Sequence, residues 1–254
     1  MRTSTNIRRL AVVGLAVILS FAGTRRAQGQ QNTITAHVEI VKKSATKTEK
    51  PAGSSANASD VVVWLNRLDQ QANETAPPEQ TRKKLQIVQK NKTFQPHLLV
   101  VPVGALVDFP NRDPFFHNVF SLFDGKRFDL GLYEAGSTNS VRFDRLGVSF
   151  LFCNIHPEMS AVVVAVDTPY YGISDRSGHV SIPNVPDGKY EMHVWYERSL
   201  PEDLKGLSRS VTLSADKTNL GTIAVPENPS FTATHKNKYN QDYTPPPTPG
   251  YPPH

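Results

Sequence analysis

The chain has 254 residues, 28 of them basic and 23 acidic, giving a formal net charge of +5 with a single cysteine and 20 prolines. The excess is local: residues 1–29 hold five arginines and no acidic residue, so the remainder carries 23 basic and 23 acidic side chains. A chain without net charge lacks the basic excess that phosphate recognition needs, which argues against nucleic acid as a partner, and one cysteine excludes an intramolecular disulfide framework.

Arg2, Arg8 and Arg9 form a basic start, Leu10 to Ala22 is apolar, and Ala27-Gln28-Gly29 supplies small residues for cleavage. Residues 1–29 therefore read as a signal peptide. The apolar run is short for a membrane span, although Arg25 and Arg26 leave an uncleaved anchor as the alternative. No cysteine follows the apolar run to accept a lipid. The expectation is a periplasmic or secreted protein without stable membrane insertion after cleavage.

Thr33 to Ile40 alternates as a strand, and residues 42–59 are polar and small. Asp60-Val61-Val62-Val63-Trp64-Leu65 is β-branched and continuous, the pattern of a strand buried on both faces. Residues 66–82, with Pro77-Pro78, read as a linker or short helix. Strands are expected near 85–90, 98–109, 117–123, 138–143, 148–153 and 160–166, punctuated by Gly104, Gly125, Gly131, Gly136 and Gly147. No amphipathic helix longer than three turns is evident, so the fold class is all-β, with an antiparallel sandwich over 82–167. From residue 168 the style changes to strands around two tight turns, Asp175-Arg176-Ser177-Gly178 and Pro186-Asp187-Gly188. Residues 226–254 hold eight of the prolines and few aliphatics, which predicts a disordered tail.

The chemistry concentrates in Phe152-Cys153-Asn154-Ile155-His156-Pro157-Glu158-Met159, which spaces a thiolate, an imidazole and a thioether three residues apart. His117, at the head of an apolar strand, supplies a second imidazole. Two histidines, one cysteine and a weak axial methionine are the ligand inventory of a mononuclear blue-copper site. An isolated buried cysteine with ordinary packing neighbours is the bland alternative. Against it, the chain's one cysteine and one of its three methionines flank a histidine within seven residues. Structural zinc has little use for methionine, and a thiolate-bridged copper pair needs a second cysteine. Thiol catalysis by Cys153 and His156 needs a third orienting group and leaves Met159 unexplained. The set offers no open coordination position and no second copper centre, so an enzyme is not expected.

These residues resemble the cupredoxins, the family of plastocyanin and amicyanin. The resemblance runs over residues 85–167 and includes Gln95-Pro96, Leu98 to Asn111, and His117-Asn118-Val119. It implies a Greek-key β-sandwich holding one type 1 copper ion through His117, Cys153, His156 and Met159, and a role as a one-electron carrier between redox proteins. It also implies that Asn118 hydrogen-bonds across to the cysteine loop. The ring edge of His156 would reach the surface amid an apolar docking patch of Phe115, Phe116 and Pro157; strand alternation would send one of the two phenylalanines inward.

The turns of 168–225, with Val185-Pro186-Asp187-Gly188-Lys189-Tyr190, are similar to the carboxypeptidase regulatory-like, or transthyretin-like, sandwich, with Val180 in place of that family's aromatic. The two opening strands of such a domain are absent after residue 168 and present in 33–68. That suggests a discontinuous second sandwich with the cupredoxin inserted; the alternative is a tandem in which 33–68 belongs to the cupredoxin. A copper-delivery or cell-surface binding protein using the accessory sandwich is the competing functional reading, and a purely structural pair of sandwiches would bind no metal.

Overall fold

The structure is a computed structural model that describes residues 31–42, 57–69, 84–122, 124–232 and 235–243. The proposed signal peptide, residues 1–29, lies outside these residues, as do 244–254. Among the described residues no helix is long and apolar enough to cross a membrane.

The ends of the chain build one sandwich. β1 (Gln31–Lys42) alternates strictly, turning Ile34, Ala36, Val38 and Ile40 inward. It lies between β13 (His179–Pro186), antiparallel, and β16 (Asn219–Glu227), parallel. The facing sheet has the order β12 (Tyr171–Ile173), β2 (Val62–Arg67), β14 (Gly188–Trp195) and β15 (Arg209–Leu213). A single short helix, α1 (Pro201–Lys205), precedes β15 and buries Leu204 against the same core. The strand read at residues 60–65 thus makes both its ladders with the C-terminal third of the chain, through Tyr171 to Ile173 and Tyr190 to Trp195.

The intervening residues form the other sandwich. One sheet has the order β5 (Leu98–Pro102), β11 (Ser160–Val166), β10 (Gly147–Phe152), β7 (His117–Ser121) and β8 (Phe128–Tyr133). Facing it, β6 (Ala105–Pro110) pairs with β9 (Thr138–Phe143), and β3 (Val88–Lys90) pairs with β4 (Thr93–Gln95). Bridges Gln86 to Asp108 and Gln89 to Asn111 join these two pairs. Phe109, Phe143, Leu151, Val119 and Val163 fill the space between the sheets.

Period-two alternation explains how the sandwiches meet. In β11, Ala161, Val163 and Ala165 enter the inner core, whereas Val162, Val164 and Val166 face outward. In β2, Val63 and Leu65 enter the other core and Val62 and Trp64 point away from it. These outward sets pack on each other with Leu98, Val100 and Trp195, so both runs are apolar at every position because both strands are covered on both sides.

A charged contact also spans this junction: His97 Nε2–H donates to Glu197 Oε2 at 2.7 Å while its Nδ1–H reaches Ser160 O at 3.1 Å. Both ring nitrogens act as donors, the arrangement of the imidazolium. The Glu197 bond accordingly lifts the His97 pKa above its ordinary 6.5, against the opposing effect of burial. A raised folded pKa stabilises fully below the unfolded value and is lost as pH climbs through the folded one. The unfolding free energy should therefore fall as pH rises from 6.5 through the elevated His97 pKa, by less than about 1 kcal/mol because the pair is partly exposed. His97→Gln should flatten that dependence, as urea titrations across this pH range would read.

Residues 226–232 and 235–243 correct the expectation of a disordered tail from 226. Pro226 and Glu227 finish β16 beside Val41 and Lys42. Residues 235–243 close on themselves around Asn237, whose Oδ1 accepts the N–H groups of Tyr239 and Gln241. Composition misleads there because hydrogen bonds and aromatic rings, rather than aliphatic burial, hold the segment.

Candidate metal centre

β7 and β10 are neighbours in the sheet, joined at Phe120 and Phe152, so the head of one strand and the exit of the other meet at one end of the sandwich. His117 opens β7 and Cys153 follows β10, both with no exposed surface. The loop from Cys153 to Met159 is closed by two backbone bonds, Cys153 N–H to Met159 O at 3.3 Å and Met159 N–H to His156 O at 3.1 Å. This tight turn brings His156 back over the thiol.

The three donor atoms form a compact triangle. His117 Nδ1 lies 3.1 Å from His156 Nδ1, and Cys153 Sγ lies 3.6 Å from His156 Nδ1 and 3.9 Å from His117 Nδ1. The point equidistant from all three is about 2.1 Å from each, against ordinary metal bonds of about 2.0–2.1 Å to imidazole and about 2.3 Å to thiolate. The trio could therefore hold a metal ion. Met159, also fully buried, belongs to the same core cluster as Cys153. Two imidazoles and one thiolate are a donor set suited to copper.

The ligands shift in opposite senses: His156 toward the neutral ring a metal binds, Cys153 toward the thiol whose proton a metal would have to displace. Burial pushes the Cys153 thiol up, opposed by backbone N–H groups of Ile155, Asn118 and His156 that point at the sulfur. Burial and the neighbouring His117 push His156 down, toward the neutral ring whose lone pair a metal would take.

Sequence reasoning missed Asp113. This buried carboxylate accepts His117 Nε2–H at Oδ2, 2.8 Å, and the backbone N–H groups of Asn91 at 2.6 Å and Lys92 at 2.9 Å. Burial works to raise its pKa, but these donors outweigh burial and hold it below the usual carboxylate range. By keeping the proton on Nε2, Asp113 leaves the His117 Nδ1 lone pair facing the other donors. The visible signal was a carboxylate four residues before a candidate ligand. Asp113→Asn would set an amide N–H₂ against one of these donors, and loss of such a partner costs metal affinity about 10–100-fold. Competition with a chelator would measure the loss.

Asn118 differs in detail from the expectation. Its side-chain amide turns to β8, donating to Asp129 Oδ1 at 2.7 Å and Gly131 O at 3.0 Å. Its contact with the cysteine is through the backbone N–H, which faces the sulfur. Phe115 and Phe116 are both exposed, at 37% and 54%, so neither enters the core. They lie in the loop before β7, where strand alternation does not apply. The Phe115 ring meets His117 edge-on at 5.2 Å and tilts against His156 at 5.7 Å. Pro114, Ile155 and Pro157 are exposed around the half-buried His156.

No protein-family model matches the chain, and a search of curated proteins finds no match. Solved structures similar to part of it are cupredoxins or contain copper by name. A novel purple cupredoxin from Nitrosopumilus maritimus is 26% identical over 32% of this chain and 99% of that one, with a TM-score of 0.30. A Cu(I) structure of an amicyanin variant is 21% identical over 32% of this chain and 81% of that one, at 0.31. A Cu-containing nitrite reductase from Thermus scotoductus SA-01 is 20% identical over 40% of this chain and 25% of that one, at 0.32.

Proposed function

We propose that the chain is an exported type 1 copper protein that passes single electrons between redox proteins. The observation that carries this reading is the triangle of His117 Nδ1, His156 Nδ1 and Cys153 Sγ, sized for one ion and buried apart from the half-buried His156. His117, Cys153 and His156 would hold the copper, with Met159 as the weak axial ligand, and the bound ion would supply a one-electron couple. The chain's own contribution is a rigid cradle. Asp113 fixes the His117 tautomer, two adjacent strands fix the separation of His117 and Cys153, and the short loop fixes His156. Ligands held this firmly need move little between oxidation states.

The export reading rests on residues 1–29, and the accessory domain reading on the two turns and on the pairing of β2 with β12 and β14. We read the outer sandwich as a discontinuous transthyretin-like domain interrupted by the copper sandwich. The apolar collar of Pro114, Phe115, Phe116, Ile155 and Pro157 is the surface on which a redox partner would dock, because exposed apolar patches beside a buried centre mark interaction sites and redox encounters use small, weak interfaces.

Phe116 is the better probe, since Phe115 is packed on both imidazoles. Phe116→Glu should slow electron exchange with a partner about fivefold or more, as loss of an interface residue worth over 1 kcal/mol would, while leaving the visible spectrum of the copper form unchanged. Stopped-flow exchange with an apolar-faced redox protein reads this. Unaltered rates, or a wild type that surrenders its copper after one reduction, would favour copper delivery instead.

A further inference from the structure

We propose that residues 235–243 are a strap that completes the metal loop from outside, with Tyr243 and Lys238 as positioning residues for the Cys153 ligand. The chain leaves the outer sandwich at the end of β16 and reaches the outward face of β10, where the His235 ring stacks on Phe152 at 4.1 Å and 25°. From there the strap contacts the cysteine by three routes.

The Tyr243 hydroxyl donates to the Cys153 carbonyl at 2.5 Å. With that proton committed, the hydroxyl oxygen accepts from His235 Nδ1–H at 3.2 Å, and the two rings meet at 88°. The backbone N–H of Lys238 donates to Asn154 Oδ1 at 3.0 Å, on the residue after the ligand. Lys238 Nζ also donates to Asp129 Oδ2 at 2.7 Å, and Asp129 Oδ1 in turn accepts from the Asn118 side chain at 2.7 Å. Asn118 is the residue whose backbone N–H faces the cysteine sulfur. The strap therefore fixes the carbonyl on one side of the ligand, its neighbour in the loop, and one of the donors aimed at the thiolate. Hydrogen bonds of that kind to ligand-bearing groups orient the ligand and tune the metal.

Without the strap, the loop loses its ties to the C-terminal segment and keeps its internal backbone bonds, the flanking strands and the contacts of His156 with His117 and Phe115, so it should open more often and expose the thiol. The proposal builds on the copper reading of the same loop, but its first test needs no metal. In the full-length apo protein, alkylation of Cys153 by iodoacetamide should be about fivefold faster in Tyr243→Phe and in Lys238→Met, the equivalent of one ordinary hydrogen bond each. The double variant should be about 25-fold faster, and Lys238→Arg, which keeps the ion pair, should match the wild type. In the copper-loaded protein the same variants should lose Cu(I) faster to a chelator and shift the thiolate charge-transfer band, with the thermal midpoint lowered by no more than the roughly 2–4 °C that one lost hydrogen bond implies. Wild-type alkylation rates in both single variants and in the double variant would overturn the proposal, as would a rise in alkylation that tracks a thermal midpoint lowered by far more than about 2–4 °C per lost bond, the mark of global unfolding. A wild type that takes up no copper would sink the copper reading, while the alkylation rates would still decide the strap.

Discussion

Cys153→Ser is expected to abolish the intense visible absorption of the copper-loaded, oxidised protein. That absorption is charge transfer from thiolate sulfur to Cu(II), and a serine hydroxyl has neither the soft donor orbital nor the acidity to replace it. Copper retention should fall further than the roughly 10–100-fold caused by losing a hydrogen-bonded neighbour such as Asp113, because one corner of the donor triangle is removed outright. The fold should survive. Serine is close in volume to cysteine, and the two tryptophans, Trp64 and Trp195, sit on strands of the other sandwich at its junction with the copper sandwich, where they report on both. Their fluorescence midpoint should therefore stay in place while the colour disappears. An unaltered band in Cys153→Ser would show that the chromophore does not involve this residue.

The second large effect concerns architecture. Gly178 closes the Asp175 turn with φ at +82°, its carbonyl accepts the N–H of Val38 at 2.7 Å, and a Cβ there would stand 2.1 Å from the Val38 carbonyl oxygen. The turn is itself fixed, since Asp175 Oδ1 accepts from the N–H groups of Ser177 and His179. Gly178→Ala thus combines a left-handed backbone cost of about 1–2 kcal/mol with a steric one of about 1–3 kcal/mol. We expect a loss of about 2–5 kcal/mol in chemical denaturation followed by tryptophan fluorescence. The clash is with β1, 140 residues away in sequence, so the effect depends on the N-terminal strand and the C-terminal turn sharing one sandwich. A change below about 0.5 kcal/mol, the range of ordinary surface substitutions, would contradict that packing.

Several features were legible in the residues because their signals are local. Cys153, His156 and Met159 stand close enough in sequence to be read as one loop, and Val61 to Leu65 is apolar at every position, as a doubly covered strand must be. Other features depend on partners remote in the chain. Asp113 gains its role only when Asn91 and Lys92 turn their backbone N–H groups toward it. β8 was passed over because Gly131 reads as punctuation; in the sheet it adopts φ +67° beside a register shift between Asn118 and Phe120, the mark of a bulge that lets a strand continue. α1 has five residues, too few for any periodicity, and is announced only by Pro201 with Glu202 and Asp203 in its first turn. The strap escaped notice because Tyr243, Lys238 and His235 act through specific bonds that composition does not register.

Electron transfer by this protein requires that the donor triangle take one copper ion through sulfur. Cu(II) titrated into the purified, full-length apo protein, followed by visible absorption, tests this most directly. An intense thiolate-to-copper band that grows linearly, stops at one equivalent and bleaches on reduction is the predicted result. Weak ligand-field absorption alone, typical of Cu(II) on nitrogen and oxygen donors, or no bound copper at all, would contradict it.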